Sequence, residues 1–262
     1  MTLLSYDRYC SEILAQTEQV RATLRGVALD TVVPTCPDWT VAQLARHLGN
    51  AHRFATGLVR ERATDFTPDL SSDSTAGAET MDAAGLDAWL AEGAEDAAAV
   101  LREAGPETPV WTFGAEQKAS FWARRMTHET VMHRADAASA AGVPFAVAQD
   151  VAADTIDEWL SFVTSPLAQA FKPRLKELLG QGGTLHLHAT DTPPELNAEW
   201  FIDARGEAIE WRRAHEKADV ALRGPLTEVL RVFYRRIPAD SDLVEVIGDR
   251  ATLEYWLERT AF

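Results

Sequence analysis

Over the first 141 residues the apolar positions recur every three or four residues, the period of a helix with one buried face. Beyond Pro144 stretches of strict alternation appear, the period of a strand. Tyr9, Ile13, Leu14, Val20 and Leu24 line one face of a first helix over residues 7–25, which closes before Gly26. Thr40 followed three residues on by Gln43 is a capping box, so a second helix is predicted over residues 41–62, with Leu44, His47, Ala51, Phe54 and Leu58 on its inner face. Leu86, Trp89, Leu90, Ala97 and Leu101 mark a third helix over 86–103, ended by Gly105 and Pro106, and a fourth over 117–141 stops at Gly142. Four amphipathic helices joined by loops predict a four-helix bundle. Residues 32–39 read as a loop pinned by Pro34 and Pro37, and residues 64–77, rich in Ser, Thr, Asp and Ala, as a mobile loop.

The second part of the chain mixes both periods. Helices are expected over 145–163 and 166–179, then a glycine-rich turn, then the alternating strand Thr184-Leu185-His186-Leu187-His188-Ala189-Thr190. Further strands are expected over 199–203, 208–212, 218–222 and 243–247. A helix opened by Pro225 runs through Phe233, and a last one covers 252–258. This pattern predicts an α+β fold on an antiparallel or mixed sheet, so the chain is expected to divide into a bundle at 1–144 and a smaller α+β domain at 145–262.

A chain of 262 residues is long enough for two such domains, each with its own core. The hydrophobic fraction of 46% and charged fraction of 25% are those of a globular protein, and no apolar run approaches the roughly eighteen residues of a membrane span. The N-terminus lacks a basic region followed by an apolar core, so a cytoplasmic location is expected. A formal net charge of −15 argues against nucleic acid and anionic membranes as partners and leaves a small molecule or a protein. The two cysteines, Cys10 and Cys36, are too few for a disulfide framework.

The residues that carry chemistry lie in the fourth helix. Glu129 and His133 stand one turn apart in a stripe otherwise formed by Trp122, Met126, Ala137 and Ala140. Burying a carboxylate and an imidazole there costs free energy unless something pairs with them, and a metal ion is one such partner. His47 occupies a comparable position on the second helix, and metal sites in bundles are built from inward side chains of different helices. The plainer alternative is a polar cluster that only cross-links two helices. His52 points about 140° away from His47 and is not expected to share its metal. His128 faces away from the stripe and reads as a surface or rim residue. Asp136 is placed either to accept the second ring proton of His133 or to be a plain surface carboxylate, and Arg134 reads as a structural ion-pair partner. Cys36 reads as a small loop residue, with a redox or nucleophilic role as the alternative. His186 and His188 share a strand face at a spacing suited to metal, but no third ligand is evident nearby, so polar residues on a wet face are the plainer account.

The run Val33-Pro34-Thr35-Cys36-Pro37-Asp38-Trp39-Thr40-Val41, followed by His47 and then His128-Glu129-Thr130-Val131-Met132-His133-Arg134, resembles the mycothiol-dependent maleylpyruvate isomerase family. His188-Ala189-Thr190-Asp191 and the segment from Gly224-Pro225 to Gly248-Asp249 extend the resemblance into the second half. It implies a DinB-like metal-binding four-helix bundle followed by a sterol-carrier-like domain of α/β-sandwich type. It also implies that His47, Glu129 and His133 bind a divalent metal, usually zinc. Asp38 stands where the family usually has Gly, a departure that leaves those positions untouched. The resemblance further implies mycothiol as cosubstrate, with a metal-bound thiolate adding to an electrophilic small molecule in a cis–trans isomerase or a thiol transferase. Arg235 and Arg236 close the helix opened by Pro225, where their charge suits the dipole end; the alternative makes them contacts for a substrate carboxylate. Two other functions stay open: a hydrolase or isomerase using metal-bound water, and a non-catalytic small-ligand carrier with a structural metal.

Overall fold

Thr40 and Gln43 form the expected capping box. The Thr40 hydroxyl accepts from the Gln43 N–H at 3.4 Å, and the Gln43 side chain accepts from the Thr40 N–H at 2.8 Å. Helix α2, Val41–Glu61, starts from it. The structure is a computed structural model that describes residues 4–66 and 78–260. Most of the stretch expected as a mobile loop, residues 67–77, lies outside the described residues. The chain divides into two compact units, Met1–Phe145 and Ala146–Phe262.

In the first unit, α1 is Tyr6–Leu24, α3 is Ala83–Ala104 and α4 is Ala119–Ala141. Together with α2 they form the four-helix bundle, in which α1 packs on α3 and α4, and α2 packs on the same two helices. Its core follows the apolar periodicity: Tyr9, Ile13, Leu58, Leu101, Trp122 and Met126 form one buried cluster, and Val20, Leu44, Leu48 and Leu90 belong to a second. Gly49 makes room on α2 for the Trp89 ring of α3, since a Cβ there would lie 2.1 Å from Cζ3 of Trp89. Gly142, at φ 65°, ends α4 in the left-handed conformation, where its N–H reaches the carbonyls of Ala138 and Ser139.

The segment expected as a proline-pinned loop is a small antiparallel hairpin, β1 at Val32–Val33 and β2 at Cys36–Thr40, with an irregular register between Val32 and Val33. It packs against α2 and α4. Proline is tolerated in so short an edge pairing because it removes few ladder bonds.

The second unit opens with α5, Gln149–Val163, which starts four residues later than expected. The single helix expected over 166–179 is two pieces, α6 at Pro166–Phe171 and a 3₁₀ segment at Pro173–Leu178. Pro173 explains the break, because it lacks an N–H and disfavours helical geometry at Lys172. The strands are β3 Thr184–Ala189, β4 Glu199–Asp203, β5 Glu210–Arg213, β6 Val220–Gly224 and β7 Glu245–Gly248. They form one mixed sheet in the order β5-β4-β3-β6-β7, in which only β3 and β6 run parallel. Helices α7, Leu226–Phe233, and α8, Arg250–Thr260, pack on β3 and β6. One sheet face, with Leu185, Leu187, Trp200, Ile202, Val220 and Leu222, is buried. The alternation and register put His186, His188, Glu199 and Phe201 on the other.

Among the described residues no helix is long and apolar enough to cross a membrane.

Candidate metal centre

Helices α2 and α4 cross so that His47, Glu129 and His133 each offer a ligand atom within 4.8 Å of the others. His47 Nε2 lies 2.9 Å and His133 Nε2 3.1 Å from the same oxygen, Oε1 of Glu129. The two imidazoles meet edge to face with centroids 4.7 Å apart. The other Glu129 oxygen accepts from Arg125 Nη2 at 2.6 Å, a pair one helical turn long. Burial would raise the Glu129 carboxyl, but the Arg125 charge, the His133 charge and the hydrogen bonds of both histidines hold it well below the usual carboxylate range.

His133 is claimed on both sides. Its Nδ1–H donates to Asp136 Oδ2 at 2.8 Å, and Asp136 Oδ1 accepts from Thr35 Oγ1 at 2.6 Å, which ties the hairpin to α4. Burial disfavours an imidazolium here, yet Glu129 and Asp136 outweigh it and push the ring up to about 9. The field that holds a proton on Nε2 of His133 also favours a metal cation at that position. Two imidazoles and an ionised carboxylate are a donor set that divalent zinc accepts, and the Asp136–His133 pair is the arrangement that fixes the ring orientation of a metal-ligating histidine. The residues present therefore fit the metal. Trp39, with its ring centroid 4.7 Å from that of His47 and 5.8 Å from that of His133, walls the site on one side. Asp136→Asn is expected to weaken metal affinity about 10–100-fold without releasing the ion outright; isothermal titration with Zn²⁺ measures it.

The surroundings differ from the periodicity in two places. His47 is not central to the buried arc of α2: its side chain is 40% exposed, whereas His52, placed by the periodicity on the other side, is fully buried. His52 Nε2 lies 2.8 Å from Thr130 Oγ1, whose proton goes to the Met126 carbonyl, so Nε2 carries the hydrogen and Nδ1 does not. Burial lowers its pKa to about 4. His128, expected at a surface or rim, is also fully buried, with its ring edge-on to Tyr9 at 6.0 Å. From Thr127 to Ala138 nearly every residue of α4 is buried, so this helix has no wet face there for a residue to point at.

Arg134, read as an ion-pair partner, donates to the Gln19 side-chain carbonyl and lies over the Phe145 ring at 4.5 Å. Cys10 is buried, and that burial pushes its thiol up to about 11; Cys36 is half-buried in β2. Arg235 and Arg236 do not belong to α7. They form the turn beyond it, where Arg235 has φ 59° and the Arg236 N–H reaches back to the Arg231 carbonyl. Arg235 is exposed, and Arg236 Nη1 donates to the Tyr234 carbonyl at 2.8 Å. The expectation that His186 and His188 lack a third ligand is overturned, because Glu199 and His215 join them.

Sequence reasoning missed Arg125, Trp39 and Thr35. The first had a visible signal, a basic residue four positions before Glu129. The other two lie on the hairpin, and only its packing brings them to the site.

Residues 10–138 match the family described as mycothiol maleylpyruvate isomerase N-terminal domain, and residues 150–254 match its C-terminal domain. No curated protein matches the chain by sequence. Among solved structures, a crystal structure of the mycothiol-dependent maleylpyruvate isomerase is similar at 16% identity, with a TM-score of 0.62 over 94% of this chain and 95% of that one. A histidine-to-alanine variant of that enzyme gives a TM-score of 0.59 at the same identity and coverage. At this identity the likeness is one of fold, and the two family matches between them span most of the sequence. The chain belongs to the mycothiol-dependent maleylpyruvate isomerase family.

Proposed function

We propose that the protein is a metal- and mycothiol-dependent enzyme in which a thiolate adds to an electrophilic small molecule, as a cis–trans isomerase or an S-transferase. The observation that carries this reading is the convergence of His47, Glu129 and His133, braced by Asp136, in a chain of this family. These three residues would hold the divalent ion. Bound there with a ligand position left open, the ion would lower the pKa of a coordinating thiol from about 8.5 and so keep it anionic at neutral pH.

The chain's own residues prepare that state. Arg125 keeps Glu129 ionised, Asp136 holds Nδ1 of His133 and thereby turns Nε2 toward the centre, and Trp39 shields one side from water. Arg235 and Arg236 are the proposed contacts for a substrate carboxylate, a role suited to the guanidinium fork. In the isomerase reading the thiolate sulfur bonds to one carbon of a cis double bond conjugated to a carbonyl. The former double bond rotates as a single bond, and expulsion of the thiolate leaves the trans isomer with the thiol regenerated. In the transferase reading the sulfur stays on the product.

Maleylpyruvate with catalytic mycothiol is the first substrate to test. Turnover that needs both the thiol and the metal is expected, with free thiol constant for an isomerase and consumed one for one for a transferase. If maleylpyruvate is inert, a panel of electrophiles with and without mycothiol replaces it. Turnover indifferent to omission of mycothiol overturns the proposal.

A further inference from the structure

The face of the sheet opposite its apolar core in the second unit carries its own convergence of ligand atoms, which the function proposed above does not use. His186 and His188 alternate onto one face of β3, and Glu199 on β4 is the direct cross-strand partner of His188. The Ala214 N–H bonds the Glu199 carbonyl at 3.1 Å, which places His215 beside them just after β5. Three histidine nitrogens then surround a single oxygen: Glu199 Oε2 lies 2.8 Å from His186 Nε2, 3.0 Å from His188 Nδ1 and 2.6 Å from His215 Nδ1.

The three rings are spaced almost evenly, with centroids 5.2–5.6 Å apart and interplanar angles of 72–87°. They are arranged about a common vertex rather than stacked. Hydrogen bonding alone accounts poorly for this: His186 Nε2 and His215 Nδ1 hydrogen-bond the oxygen and use its two lone pairs, which leaves His188 Nδ1 against it at 3.0 Å with no hydrogen bond to make there. A cation at the vertex would use all four groups as lone-pair donors.

We infer that His186, His188, Glu199 and His215 form a second metal site, for a first-row divalent ion of the zinc class. Three imidazoles and one carboxylate match zinc and its neighbours rather than magnesium or calcium, which take oxygen ligands. Four protein ligands would close a tetrahedral shell, so the site would be structural, joining β3 and β4 to the segment after β5. The His215 side chain is 73% exposed, so the ion has a direct route from solvent.

The test uses the full chain without a histidine tag, stripped with chelator, reloaded with Zn²⁺ and gel-filtered before elemental analysis. The His47→Ala/His133→Ala variant isolates the second site and is expected to retain one equivalent. Adding His215→Ala, an exposed position whose loss leaves the core intact, should weaken that equivalent by at least about 100-fold, more than the loss of an outer hydrogen-bond partner does. The same titration with Co²⁺ should give the visible absorption of a four-coordinate, nitrogen-rich centre. In the otherwise unaltered chain, His215→Ala alone should remove one of two equivalents. A folded His47→Ala/His133→Ala chain that binds no Zn²⁺, or a His215→Ala chain with unchanged affinity and stoichiometry, overturns the inference. A wild-type chain holding one equivalent that only His215→Ala removes would support this site while counting against the bundle metal.

Discussion

His133→Ala is expected to weaken binding of the bundle metal at least about 100-fold and to abolish thiol-dependent turnover. Loss of an outer partner of a metal-ligating histidine already costs 10–100-fold, and His133 is proposed as a ligand itself. The substitution also takes one hydrogen-bond partner from Asp136, which is fully buried and accepts from Thr35 as well as from His133. A buried carboxylate deprived of one partner is costly, so some destabilisation of the hairpin is expected as well. His47→Ala separates the two effects. His47 is part-exposed and its Nε2 meets Glu129, so its loss should release the ion with little change in stability. Elemental analysis and denaturant midpoints, measured on both variants, check the pair. Full metal occupancy in both would sink the assignment of His47, Glu129 and His133.

In the second unit the largest effect on stability is expected at Asp157. This carboxylate is 1% exposed and accepts from Trp200 Nε1 at 2.7 Å and from Arg213 at 3.1 and 2.6 Å through two guanidinium nitrogens. Trp200 is itself fully buried on the core face of the sheet. Asp157→Ala leaves the Arg213 charge and the Trp200 N–H without their acceptor, and removing one member of a buried ion pair costs about 3–5 kcal/mol. Asp157→Asn keeps an acceptor and the side-chain volume, so it should cost clearly less. Urea unfolding of the two variants measures the difference; equal, small losses would mean that Asp157 contributes only packing.

The sequence was read most reliably where a local chemical rule acts. Thr40 and Gln43 cap α2 as their spacing requires, Gly142 ends α4, and β4 begins and ends where expected. Glu129 and His133 share a face by the same kind of rule, since residues four apart on a helix do so whatever surrounds them, whereas the approach of His47 from α2 is a matter of packing. The errors fall where burial depends on what packs from outside. His128 was assigned by angle to a surface or rim, but α1 packs over it, and His47, expected in the middle of the buried face of α2, is 40% exposed at its side chain. The helix expected over 166–179 failed differently, because Pro173 was read as part of a helix that its ring and missing N–H interrupt.

The cluster around Glu199 shows the boundary most clearly. The sequence by itself determined that His186 and His188 lie on one face of a strand, because alternation is a property of the backbone. It also determined that Glu129 and His133 lie one turn apart on one face of α4, because 3.6 residues per turn is equally local. Only the tertiary structure decided that Glu199, eleven residues beyond His188, stands directly across from it, and that His215 arrives from beyond a further strand. Cross-strand register is fixed by turns and by the burial of the opposite face, and neither is encoded in the period of any single strand.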